Sequence, residues 1–295
     1  LSKGKLLIVT HDASDHALQV ASELIDAWTS TGWQIYAVAD DAARITKYNT
    51  KISKVDQNDL SNFDLVVVTG GDGTILRAVE VVRGASCPIL GINLGHVGFL
   101  AEAELSDLAE VVDSVDRKIW HVENRMSLKV QVKIKNEIIY ETFALNDVSI
   151  EKTVRGHMFD LILAIDARPV SRFGADGIVC ATPTGSTAYA FSAGGPVVWP
   201  EVEALLVVPV SAHSLFAKPL VVSPKSRITI EIPQDSTPGV LVADGRREFD
   251  LPIMSTIEVS KSELDVPIAR LSNSAFTNRL VAKFQLPVAG WRGAK

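Results

Sequence analysis

Two hydrophobic periods divide this chain. Up to about residue 118, short apolar runs alternate with segments whose apolar residues recur every three or four positions. Leu6 to Val9 is such a run, and Ala17, Ala21, Leu24 and Trp28 follow at helical spacing until Gly32 ends the element. Trp33 to Val38 and Leu65 to Thr69 read as further strands. Ile75, Ala78, Val79 and Val82 line a helix stopped by Gly84, and Pro88 to Ile92 supplies another short strand. Leu105, Leu108, Val112 and Val115 then give a helix with Ser106 near its start. Strands and helices alternating through short connections predict an α/β domain built on a doubly wound, Rossmann-like parallel sheet, with ligands beyond the carboxyl ends of its strands.

After Trp120 the period becomes two. Leu128, Val130, Val132 and Ile134 alternate with Lys129, Gln131, Lys133 and Lys135, so one face is buried and the other solvated. Phe159 to Leu161, Arg227 to Ile232 and Thr256 to Val259 repeat the pattern, separated by Asn-Glu, Ala-Arg-Pro, Pro-Gly and Asp-Gly turns. This predicts an all-β, antiparallel, sandwich-like domain interrupted by one helical patch at Ser186 to Ala193. Phe276 to Phe284 is helical again, with Leu280, Val281 and Phe284 as its apolar face, and is expected to return to the first domain. The expected domains are therefore 1–119 with 273–295, and 120–272.

Composition narrows the class. With 295 residues, 47% of them hydrophobic and 22% charged, the chain has the balance of a globular protein with room for two cores. A net charge of -6, and the lack of any basic block interleaved with aromatics, argue against a nucleic-acid partner. No apolar run is long enough to cross a bilayer, and Leu1 to Gly4 lead into a strand rather than into a signal peptide's apolar segment. Cys87 and Cys180 are far apart among small or apolar neighbours and read as buried, reduced thiols of a cytoplasmic protein.

Candidate chemistry lies in two stretches. In LVVVTGGDGTILR, Leu65 to Arg77, a buried strand breaks into Gly70-Gly71-Asp72-Gly73-Thr74 before a helix. Helix N-termini carry unpaired amides and the positive end of a dipole, which suit a polyphosphate. Asp72 repels phosphate, so it points to work on a proton or a metal; the alternative is an ordinary glycine turn with Asp72 capping the helix. In Thr182 to Pro196, TPTGSTAYAFSAGGP, small residues, hydroxyls and one Tyr could lie against a nucleotide base, or could simply cap a helix. His11-Asp12-Ala13-Ser14-Asp15-His16 reads as a cap by Asp12 or Ser14 rather than a metal cluster, and His96 and His213 are assigned no role.

Together these stretches are more specific than either alone. GGDGT, then NLGHVGFL (Asn93 to Leu100), LNDVSIEK (Leu145 to Lys152) and DGIVCATPTGSTAYAFSAGGP (Asp176 to Pro196), resemble the NAD kinase family over nearly the whole chain. The closing FTNRLVAKFQLPVAGWRG looks like that family's actinobacterial branch. The resemblance implies transfer of the γ-phosphate of ATP to the 2′-hydroxyl of the adenosine ribose of NAD, giving NADP, with Mg²⁺ as divalent metal and polyphosphate as an alternative donor. It puts the general base at Asp72, with backbone donors of Gly73 beside it, Arg77 one helical turn on where its charge could reach a phosphate, and ribose contacts at Asn146 and Asp147 in a β-rich NAD-binding domain. Thr187, Ala188, Tyr189 and Ser192 should contact nucleotide, with Asp176 close by, and His157 and Arg246 should touch the dinucleotide. Gly174 falls where some relatives carry a basic residue, so only its backbone can contribute. NAD and ATP are the implied partners, and the implied assembly is a homodimer or homotetramer. Two rivals remain: a lipid kinase sharing the GGDG turn, and a nicotinamide-nucleotide sensor without activity.

Overall fold

The computed structural model describes residues 2–56, 58–60, 62–95, 98–104, 107–154, 156–214, 217–272 and 275–288. Leu105, Ser106 and His96 lie outside these residues, so the expected start of the fourth helix is not described. The chain opens with β1 (Gly4–Thr10), α1 (Asp15–Ser30), β2 (Trp33–Val38), α2 (Ala39–Ile45), β3 (Ser53–Val55) and β4 (Leu65–Thr69). It continues with α3 (Asp72–Val81), β5 (Ile89–Asn93), β6 (Ala103–Glu104), α4 (Leu108–Asp116) and β7 (His121–Arg125). A run of antiparallel strands follows: β8 (Leu128–Ile134), β9 (Glu137–Ala144), β10 (Asp147–Lys152), β11 (Phe159–Ile165), β12 (Arg168–Ala175) and β13 (Gly177–Ala181). After a 3-10 turn at Thr184–Thr187 and the short α5 (Tyr189–Ser192) come β14 (Leu205–Val210), β15 (Leu220–Val222), β16 (Ile228–Glu231), β17 (Gly239–Ala243), β18 (Arg247–Leu251) and β19 (Thr256–Lys261). The last elements are β20 (Val266–Arg270) and α6 (Phe276–Phe284). Contacts divide the chain into two compact units, Leu1–Asn124 with Val266–Lys295, and Arg125–Asp265.

The first unit is built on one sheet in the order β3-β2-β1-β4-β5-β20-β7, with β6 also paired to β5. Its first five strands are parallel in the 3-2-1-4-5 order of a doubly wound sheet. Leu6, Ile8, Leu65, Val67, Leu90 and Ile92 form one core with Leu24, Ile25 and Trp28 of α1 and Val111 and Val115 of α4. Helix α3 packs on β4, β5 and β1. There Gly91 has no room for a Cβ, because the Ile75 side chain occupies that space. Ser14, not Asp12, caps α1, its hydroxyl accepting the Ala17 N–H at 3.1 Å. Ile268 pairs with Ile89, so β20 enters this sheet parallel to β5. A short strand containing Pro267 carries no sign in its own sequence of which sheet it will join.

In the second unit two six-stranded sheets stand in the orders β15-β14-β13-β10-β17-β18 and β12-β11-β16-β19-β8-β9. Their pairings are antiparallel. Val148, Ile150, Ile178 and Cys180 of one sheet share a core with Val130, Val132, Leu161, Ile230 and Ile257 of the other, which makes the unit a sandwich. Three hairpins turn on residue pairs that both have positive φ: Lys135-Asn136, Asp166-Ala167 and Asp244-Gly245. Such turns match the right-handed twist of the flanking strands. The first two pairs lie one residue before the Asn-Glu and Ala-Arg-Pro turns read from the sequence. The helical patch expected at Ser186 to Ala193 is not continuous: Ala188, at φ -101° and ψ -129°, separates the 3-10 turn from α5. Ala190 of α5 joins Val179, Ala181, Leu206 and Val208 in a small second core on the first of these sheets.

Candidate functional site

The first candidate site grows from β4, whose five residues are all buried. Gly71, not Asp72, is the N-cap of α3, and no side chain caps this helix. Asp72 is its first residue, and its carboxylate turns to the chain after β5. Oδ2 accepts the Phe99 N–H at 2.9 Å and Oδ1 the Leu100 N–H at 3.1 Å. Gly98 makes this approach possible, because a Cβ there would collide with the Asp72 carboxylate. At Gly71 and Gly73 the same positions meet nothing within 4 Å, so the turn is open on that side. The Asp72 and Gly73 amides lie in the first turn and have no acceptor within the helix. The glycine turn therefore combines an open row of donors with an aspartate held from behind.

Arg77 points elsewhere. Five residues carry it roughly 140° around the helix from Asp72. Its guanidinium grips the fully buried Asp41 with two bonds of 2.9 Å and also donates to the Thr10 carbonyl. Arg44 approaches the same carboxylate at 2.7 Å, and Asp12 completes the group, 3.3 Å from Arg77 and 3.0 Å from Arg44. Burial works against the Arg77 charge, yet its bonds to Asp41 hold it above the usual arginine range.

The second site lies within the second unit, where three strand ends meet. Asp147 begins β10, and its carbonyl accepts the Asp244 N–H from the end of β17 at 2.9 Å. The Asn146 carbonyl accepts the Thr182 N–H from the end of β13 at 2.9 Å, and a Cβ at Gly185 would strike that same carbonyl. The Asp244 carboxylate closes the arrangement, accepting the N–H groups of Leu145 at 3.0 Å and Asn146 at 2.7 Å and pairing with Arg247 at 2.9 Å. A cavity of about 300 Å³ opens beside these residues, lined by Asn146, Asp147, Ser149, Glu151, Ala188, Tyr189, Val242, Asp244 and Gly245.

Its electrostatics are unusual. Asp147 is only 5% exposed, and its Oδ2 has no hydrogen-bond partner. Burial first, then the neighbouring Asp244 charge, push its carboxyl up to about 7 against a hydrogen bond from the Tyr189 backbone. Burial raises Asp244 as well, but two amides and a guanidinium support its charge. The two differ in their partners, since Asp147 Oδ2 has none while both oxygens of Asp244 accept hydrogen bonds. Burial first, and then the Glu151 carboxylate, raise the Tyr189 phenol.

Of the sequence-predicted residues in this unit, Asn146, Asp147, Ala188 and Tyr189 share the cavity. Thr187 donates its hydroxyl to the Thr184 carbonyl at 3.3 Å, and Ser192 is exposed at the end of α5. Asp176 pairs with Lys152, whose hydrogen bond holds its carboxyl below the usual range. His157 stands exposed before β11, Arg246 is exposed beside Gly245, and Gly174 is covered by the Met158 side chain. Asp244 carries no functional signal of its own, and Ser149 and Glu151 enter only as part of the LNDVSIEK motif. Asp244-Gly245 signals a turn in the sequence, but which carboxylates face one cavity depends on pairing between distant strands. Phe99 and Leu100 were anticipated only as part of a motif, and backbone donors leave no residue-type signature.

Among the described residues no group of three or more His, Cys, Asp or Glu could hold a metal ion. Mg²⁺ keeps several waters and needs only one or two carboxylates, and the Asp72 carboxylate beside the open turn of α3 is of the type that could serve it. No helix among the described residues is long and apolar enough to cross a membrane.

Comparison with known proteins gives consistent matches. The ATP-NAD kinase N-terminal domain matches residues 6–118 and the ATP-NAD kinase C-terminal domain residues 145–271. An NAD kinase of Thermobifida fusca is 48% identical, covering 98% of this chain and 91% of its own. NAD kinase 2 of Streptomyces avermitilis is 47% identical over 98% of this chain and 97% of its own. Among solved structures, a yeast NADH kinase complexed with NADH superposes with a TM-score of 0.89 at 26% identity, covering 100% of this chain and 91% of that one. An NAD kinase from Archaeoglobus fulgidus in complex with ATP gives 0.71 at 28% identity, covering 95% and 98%.

Proposed function

The chain belongs to the ATP-NAD kinase family, and we propose that, as an NAD kinase, it uses Asp72 to accept the proton of the 2′-hydroxyl on the adenosine ribose of NAD. That oxygen bonds to the γ-phosphorus of ATP as the bond to the ADP oxygen breaks, giving NADP. The observation that carries this reading is the hold on Asp72: two backbone amides meet both its oxygens at 2.9 and 3.1 Å beside the open first turn of α3. Phosphoryl transfer passes through a loose transition state, so alignment and charge neutralisation matter more than a strong base. A fixed carboxylate aligns the hydroxyl, and the free amides of Asp72 and Gly73 favour the phosphate oxygens. Mg²⁺ held by the phosphates of ATP would neutralise their charge, and Asp72 is the carboxylate this chain would offer it.

The cavity beside Asp147 takes a nucleoside part of NAD. Its carboxyl-rich lining disfavours phosphate and suits hydroxyls or a base. Asp147 in its protonated form donates a hydrogen bond, Asn146 offers both a donor and an acceptor, and Tyr189 supports a ring. Thr187, Ala188, Ser192, Asp176, His157, Arg246 and the backbone at Gly174 supply further contacts to the dinucleotide, as does Arg77 once its ion pairs yield to a phosphate. The protein works as a homodimer or homotetramer in the cytoplasm.

Purified protein with Mg²⁺-ATP should convert NAD to NADP and leave diacylglycerol and sphingosine untouched. An NAD analogue lacking the 2′-hydroxyl of the adenosine ribose should bind without being phosphorylated; phosphate appearing on it refutes the acceptor. Replacing ATP with inorganic polyphosphate in the same assay decides the donor.

A further inference from the structure

The residues that hold Asp72 are themselves held by the end of the chain. Phe99, whose N–H meets Asp72 Oδ2, has its ring between Phe276 and Phe284 of α6, at centroid distances of 5.7 and 5.8 Å. The Leu100 carbonyl accepts a hydrogen bond from Arg270 Nη1 at 3.0 Å, at the end of β20. Two residues on, the buried Glu102 carboxylate pairs with Arg270 at 3.1 Å and Arg279 at 3.2 Å. Its other oxygen accepts the N–H and hydroxyl of Ser272 at 2.9 and 2.7 Å. Glu123 meets Arg270 Nε at 3.0 Å, so two arginines face two glutamates, and Arg270 is fully buried. The Glu102 N–H is tied to the Gly91 carbonyl of β5 at 2.9 Å.

Buried ion clusters contribute little net stability, since desolvation offsets the attraction, and apolar side chains of the same volume would hold these segments together as well. What a charged cluster adds is geometry, because each guanidinium and carboxylate fixes its partners in direction as well as distance. Here that geometry acts on residues 99–102, and through two amides on Asp72.

We propose that β20 and α6 form a strap that sets the position of Asp72 through residues 99–102, with Arg279 and Phe284 as positioning residues that touch neither NAD nor ATP. Arg279 lies on α6 and reaches Asp72 by way of Glu102 and the segment before it, so its loss loosens the base without removing it. This rests on Asp72 being the base, and the test separates the two ideas.

In the full chain, Arg279→Leu should lower kcat roughly 10- to 100-fold, the effect of displacing a reacting group by a fraction of an ångström to about one. KM for NAD and for ATP should stay within about twofold, because no binding contact is touched. Arg279→Lys, which keeps the charge, should restore most of kcat. Hydrogen exchange reads the strap without turnover: the Phe99 and Leu100 amides should exchange on the order of tenfold faster in Arg279→Leu than in the parent. Should Arg279→Leu fail to fold, Phe284→Ala loosens the same residues from the ring side and is judged by the same measurements. A folded variant with parental kcat, or with unchanged exchange at both amides, overturns the strap. A parent protein inactive on NAD overturns the functional reading instead.

Discussion

Asp72 and Asp147 are the same side chain in opposite settings, one in each unit. Asp72 opens a helix, and both its oxygens accept amide hydrogens. Asp147 opens a strand with one oxygen unpartnered, in a cavity shared with Asp244 and Glu151, and its carboxyl is pushed up to about 7. The same side chain thus meets two amide donors in one unit and a desolvated setting with an unpartnered oxygen in the other, and the donors around each make the difference. The backbone does this in both places: amides from a loop receive Asp72, while the amides of Leu145 and Asn146 go to Asp244 and leave Asp147 short.

The sharpest way to break this contrast is Asp72→Asn, which keeps the size of the side chain but removes the proton acceptor. Steady-state kinetics should show kcat lower by about 10²–10⁴-fold, with NAD binding changed far less. Full activity in this variant would exclude Asp72 as the base. Asp244→Ala removes the acceptor of the Leu145 and Asn146 amides and the carboxylate partner of Arg247, and should cost about 3 kcal/mol of stability in a denaturant titration. Loss of less than about 1 kcal/mol would mean that water replaces the carboxylate readily.

Asp147→Asn tests the other pole. In the native protein this carboxyl takes up its proton near pH 7, whereas in the unfolded chain it does so near the ordinary value of 3.8. Between those values the native state binds more protons, so Asp147 contributes most to stability at low pH and that contribution is lost as pH rises through about 7. The parent's unfolding midpoint should therefore fall from about pH 5 to pH 8 by more than that of Asp147→Asn. Equal falls would show that Asp147 ionises freely. The smallest effect is expected at Tyr189→Ala, where KM for NAD should rise about 2- to 10-fold while kcat at saturation changes less.

Much of the fold was legible because it is written locally. The 3.6-residue and two-residue periods marked the elements of each unit, and the glycines at 70, 71 and 73 marked the turn before α3. The site was legible where one short segment carries the chemistry, as at Asp72 or Asn146-Asp147. It was illegible where distant segments meet. Nothing in the spacing of Arg77 reveals that Asp41 holds it, because that pairing needs β1, α2 and α3 assembled. Nothing in ADGR shows that Asp244 receives the amides of Leu145 and Asn146, and VPIAR does not announce its partner in β5.

That last strand sets an order of events during synthesis. The sheet on which α3 packs takes the strand between β5 and β7 from Val266–Arg270, which follows the whole second unit in the sequence. A ribosome delivers every other strand of this sheet, and then the whole of the sandwich, before that place can be filled. Until then the first unit has an open edge at β5, a state in which a chain is prone to pair wrongly. A chain cut short after Asp265 would carry all the strands of the sandwich and a first sheet without β20, so that sheet is completed only after the sandwich has been synthesised.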